Sequence, residues 1–125
     1  MLKFLLIALG GALGTLARYG ASGFAQQKYN GVFPVGTLTV NLVGSFLIGL
    51  LWGMAENSIL SPNIRTFLFV GILGGFTTFS TFSLETLNLL RDGEFKLALV
   101  NILLNNVIGI VLAFVGLLLA KNINT

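Results

Sequence analysis

The chain has 125 residues, of which 55% are apolar and only 9% charged, with seven Lys and Arg against four Asp and Glu. A soluble domain carries roughly 25% charged residues to cover its surface, so this composition and a mean hydropathy of +0.95 exclude a water-soluble globular fold. Cysteine and histidine are both absent, which also excludes a disulfide framework, a thiolate metal site and the usual neutral-pH proton carrier.

Between Lys3 and Lys28 the only charge is Arg18, and residues 29–55, 66–84 and 97–120 contain none. A helix crossing the hydrocarbon core needs roughly 20 predominantly apolar residues. Lipid offers the backbone no hydrogen-bond partners, and the alternating pattern of barrel strands is missing, so helices are expected. The predicted class is an all-α membrane protein, a single four-helix domain over residues 1–125, with spans at about 2–25, 34–55, 62–90 and 94–120. The first span continues past Arg18 without a convincing cleavage site, which is too long for a signal peptide. Pro34 and Pro62 stand where a helix start tolerates proline. The connections, residues 26–33, 56–61 and 91–93, leave no room for an extramembrane domain.

Within helix 1, Gly10 and Gly14 have the spacing that lets helix backbones approach closely, as do Gly49 and Gly53 in helix 2 and Gly71 and Gly75 in helix 3. Arg18 either snorkels to the interface or concentrates anions at a pore mouth. In helix 2, Thr37, Asn41 and Ser45 share one face. Asparagine is costly in hydrocarbon, so that face turns to protein or water.

Helix 3 is the unusual span. Residues 71–83 read GILGGFTTFSTFS, three glycines within five residues and then two threonines, a poor continuous helix. Threonine is also a good N-cap, so a broken helix is expected, with exposed carbonyls able to hold a cation and N–H groups that favour anions. Phe79 and Phe82 share a face and alternate with Ser80, Thr81 and Ser83. Phenyl edges are partly positive. With hydroxyls and an asparagine NH₂ they can line a route for a small anion without trapping it. Glu85 follows the break, either in a watery vestibule or beside a cation. Helix 4 repeats the polar face with Asn101, Asn105 and Asn106.

Lys and Arg near the span ends divide three against three: Lys3, Arg65 and Lys121 on one side, Lys28, Arg91 and Lys96 on the other. Either the count is too small to orient the chain, or the protein inserts both ways up and pairs antiparallel. Four helices do not readily enclose a polar pathway alone, which favours an oligomer.

The ordered blocks Gly10-Gly11-Ala12-Leu13-Gly14 with Arg18-Tyr19, then Gly36-Thr37-Leu38 with Val40-Asn41 and Gly44-Ser45-Phe46, then Gly74–Ser83, resemble the small fluoride channels of the Fluc or CrcB family over the whole chain. The resemblance implies a dual-topology antiparallel homodimer in the cell inner membrane, passively exporting fluoride and so protecting against its toxicity. It implies a fluoride pathway along Asn41, Phe79 and Phe82 with Ser80 and Thr81 as polar lining, and Arg18 near the vestibule. It also implies a central Na⁺ held by the backbone carbonyls of Gly74 and Thr77 from both subunits. Helix 4 departs from the family's tyrosine or hydroxyls by offering Asn101 and Asn105. A proton-coupled multidrug exporter is the main competitor, but it needs a carboxylate within the membrane, and helix 1 has none. A non-catalytic assembly protein would explain the glycines but not the hydroxyls. No nucleophile–base set suggests an enzyme.

Overall fold

Four apolar stretches separated by proline, glycine and charge become four membrane-length helical spans in the computed structural model, which describes residues 1–56 and 60–123. Residues 57–59 of the second connection and the last two residues lie outside the described set. The helices are α1 (Leu2–Gln27), α2 (Val35–Glu56), α3 (residues 62–76), α4 (Phe79–Arg91) and α5 (Phe95–Ile123), with α3 and α4 forming one interrupted span. The protein is a multi-pass membrane protein. Its large exposed apolar side chains, among them Phe4, Leu16, Phe24 and Phe114, face outward as lipid requires.

Helix ends follow local chemistry. Ser61 caps α3, its Oγ accepting from the Ile64 N–H at 3.3 Å, with Pro62 at the first helical position. Gln26 clasps the start of α2: its amide donates to the Phe33 carbonyl at 3.2 Å and its Oε1 accepts from the Gly36 N–H at 3.0 Å. The α4–α5 turn is closed by Gly93, the one glycine with positive φ (78°). The Gly93 and Glu94 amides donate to the carbonyls of Leu90 and Leu89 at 3.1 and 2.8 Å, the paired bonds of a Schellman stop.

Glycine sets how the spans pack. A Cβ on Gly10 would lie 2.7 Å from the Phe67 carbonyl oxygen, and one on Gly14 would collide with the Ile72 carbonyl. Helix α1 therefore lies backbone to backbone against α3. Gly49 meets the Ala113 carbonyl and Gly53 the Ala120 methyl, so α2 lies equally close to α5. Without a hydrophobic drive inside lipid, such close approach supplies dispersion contact instead.

The break itself differs in place from its sequence signal. Gly71, Gly74 and Gly75 are all helical, and the chain turns extended only at Thr77 (φ −92°, ψ 159°) and Thr78 (φ −150°, ψ 120°). Two of the glycines serve packing: a Cβ on Gly75 would lie 2.7 Å from the Gly11 carbonyl oxygen, and Gly71 abuts Gly10, whereas Gly74 is exposed. The threonines interrupt the helix. Thr78 then restarts it as N-cap of α4, its Oγ1 accepting from the Thr81 N–H at 3.2 Å. Two further irregularities were not anticipated. Thr66–Leu73 in α3 and Leu104–Ile108 in α5 are wound as wide π-helical turns, a local form frequent at functional sites.

Candidate functional site

A continuous helix would satisfy the Gly74 carbonyl with the Thr78 N–H. Here that N–H donates to Asn41 Oδ1 at 2.9 Å, and Asn41 Nδ2 donates back to the Thr78 carbonyl at 3.1 Å. One side chain from α2 thus gives the Thr78 N–H a new acceptor and adds a bond to the Thr78 carbonyl. Gly44, one turn further along α2, leaves room for the Thr77 methyl. On the other flank, Arg18 Nε donates to the Gly75 carbonyl at 3.0 Å. The guanidinium is turned inward to the end of α3, where positive charge suits the negative end of the helix dipole, rather than out to the interface.

Two carbonyls at the break are left free of these bonds. Thr78 N–H goes to Asn41 and Thr81 N–H to Thr78 Oγ1, so neither serves Gly74 or Thr77. Their oxygens are the kind of hard donor a Na⁺ takes. Among the described residues no cluster of acidic side chains could hold a metal.

Beside the break, α2, α3, α4 and α5 enclose a cleft of about 340 Å³. Asn41, Phe79 and Phe82 line it together with Gly74 and Thr77. Five of the residues singled out from sequence therefore meet in one place. Ser80, Thr81 and Arg18 are not part of its wall: Ser80 is exposed, Thr81 half-buried one turn into α4, and Arg18 acts from the α1 side. Ser45, Thr78, Asn105 and Asn106 do line it. The signal for Ser45, Asn105 and Asn106 was already in the polar faces of helices 2 and 4, and that for Thr78 in the weak block of helix 3.

The two rings are a tilted pair, centroids 5.4 Å apart and planes at 52°. Their settings differ sharply, Phe82 being 7% exposed and Phe79 73%. Asn41 has no amide hydrogen to spare, since its second one goes to Asn105 Oδ1 at 2.9 Å. Among the described residues, no protein acceptor engages the hydroxyls of Ser45, Ser80 or Thr81, which leaves them as available donors near the rings. At the far end of α4, Glu85 opens on a second cavity of about 410 Å³ with Gln26, Asn88, Asp92 and Glu94. Its Oε1 is buried with no hydrogen-bond partner among the described residues.

The family of CrcB-like proteins, described as camphor resistance (CrcB), matches residues 5–117. A protein of Parabacteroides distasonis named fluoride-specific ion channel FluC is 49% identical over 125 residues, covering 100% of this chain and 98% of its own. Proteins of the same name from Salinibacter ruber and Thermus thermophilus are 52% and 50% identical, over 93% and 91% of this chain and 87% and 90% of theirs. All three are named as channels, not enzymes. A match across nearly the whole length means that the chain belongs to the CrcB family.

Proposed function

We propose that this protein is a fluoride-selective channel that exports fluoride passively and protects the cell from it. The observation that carries the reading is the cleft at the break, where two phenyl rings and the unengaged Ser45 hydroxyl meet without a full positive charge. Ring edges and hydroxyl donors stabilise a small anion weakly enough to let it go. Fluoride enters cells as neutral HF, ionises in a less acidic cytoplasm and is trapped there. A channel in the inner membrane lets it leave down its electrochemical gradient.

The working unit is an antiparallel homodimer. Its support is the three-against-three charge count, the outward-facing Phe79 ring and Gly74, and a cleft that one chain leaves open. The carbonyls of Gly74 and Thr77, two from each subunit, would hold a Na⁺ between the copies. When bound, that ion supplies the charge that draws four carbonyl dipoles together.

The test is efflux from liposomes loaded with fluoride or chloride, with potassium ionophore to balance charge. Fluoride should leave without a proton gradient while chloride stays. Equal chloride efflux, or transport only with a proton gradient, overturns the reading. Tags on the termini should be reachable from both sides of the membrane, and a single-sided result removes the antiparallel pair.

A further inference from the structure

Behind the cleft runs a chain of side-chain hydrogen bonds that the pathway residues do not account for. Asn41 Nδ2 donates to Asn105 Oδ1, and Asn105 Nδ2 donates to both the Asn101 carbonyl and Asn101 Oδ1 at 2.9 Å. Asn101 Nδ2 donates to Thr86 Oγ1 at 2.9 Å, and Thr86 donates to the Phe82 carbonyl at 2.8 Å. The chain therefore starts at Thr78, crosses α2 and α5, and returns to α4 one turn past the break.

Its polarity is fixed from both ends. Thr78 N–H can only donate, so Asn41 must present its oxygen there and its NH₂ to Asn105. The Phe82 carbonyl can only accept, so the Thr86 hydroxyl must give it its one hydrogen and take Asn101's on a lone pair. No amide in the series can flip without leaving a polar group unpaired in a buried place. Asn101 is 1% exposed and Thr86 7%, where an unpaired group is expensive.

We infer that Asn101 and Thr86 are positioning residues for the ion pathway: they touch no ion, and they fix the Asn41 amide and the Phe82 backbone through a hydrogen-bonded relay of set direction. The inference rests on the channel reading for its consequence in flux, but the relay itself is read separately. Isotope-labelled protein in micelles gives the resonances of the Asn41 side-chain NH₂. Thr86→Val, which keeps shape and removes the hydroxyl, should shift them and speed their hydrogen exchange. Thr86→Ser, which keeps the hydroxyl, should leave them near the parent's. In liposomes Thr86→Val should lower fluoride efflux about tenfold, the factor that goes with one lost buried hydrogen bond, and Thr86→Ser should restore at least about half. An Asn41 resonance unmoved by Thr86→Val overturns the relay, as does an equal defect in the Val and Ser variants, which would mark a packing role. Asn101→Leu should repeat the Val result; if Thr86→Val does not fold, its failure to do so decides the matter. A parent protein that passes no fluoride refutes the channel reading while the resonances still judge the relay.

Discussion

The seam between α1 and α3 and the junction of α2, α4 and α5 hold the same bundle together by opposite means. The seam is glycine against backbone: Gly10 and Gly14 sit on Phe67 and Ile72, with no side chain between. The junction is amide against amide and hydroxyl, centred on Asn41, Asn105, Asn101 and Thr86. In lipid, dispersion at close approach holds two intact helices together. It does nothing for a helix whose backbone bonds have been interrupted. There a freed N–H must find a partner or cost several kcal/mol, and the polar junction supplies one to Thr78. The expendable part of each region therefore differs. The seam fails on added volume, whereas the junction fails on the loss of a donor or acceptor.

Substitution can break or sharpen that contrast. The largest effect is expected at the seam: Gly14→Leu drives a side chain into the Ile72 backbone, and no monodisperse protein should survive size exclusion in detergent. A folded Gly14→Leu protein would mean the seam is looser than its geometry. Next comes Asn41→Leu, of the same branching and heavy-atom count, which leaves the Thr78 N–H and the Asn105 oxygen unpaired. Each such loss costs about 1–3 kcal/mol, so thermal stability should fall clearly and fluoride efflux by about a hundredfold or more, with assembly retained. Phe79→Ile and Phe82→Ile should each reduce flux with the dimer intact. Phe82, 7% exposed against 73% for Phe79, should also lose thermal stability, by about 1 kcal/mol or more. Unchanged flux in both would remove the rings from the pathway. The smallest effect is expected for Arg18→Lys, which keeps the charge near the end of α3 but loses the Nε donor to Gly75. A change in flux of only a few-fold is expected, and a loss as deep as that of Asn41→Leu would place Arg18 in the pathway itself.

Much of this was legible in the residues. Uncharged stretches of membrane length, Pro62 at a helix start and glycines four apart each carry a local or periodic signal, and a span needs little else. The ordered blocks around Arg18, Asn41 and Phe79 then pointed to the family that the comparisons show. Less legible was what each polar residue does. Three glycines beside two threonines read as one weak stretch, because glycine lowers helix propensity wherever it stands. Only the approach of Gly11 to Gly75, and of Asn41 to Thr78, assigns packing to Gly75 and the break to the threonines.

By itself the sequence determined four spans, the presence of an interrupted third helix and the faces that avoid lipid, since burial of apolar length and exclusion of polar groups from hydrocarbon are properties of composition and spacing. The tertiary structure decided where the interruption falls and what replaces its lost bonds. It turned Arg18 inward to Gly75, committed both Asn41 hydrogens, and joined Asn105, Asn101 and Thr86 to Phe82. Hydrogen bonds between residues as distant as Asn41 and Asn105 depend on which helices lie side by side, and periodicity within one helix says nothing of its neighbour.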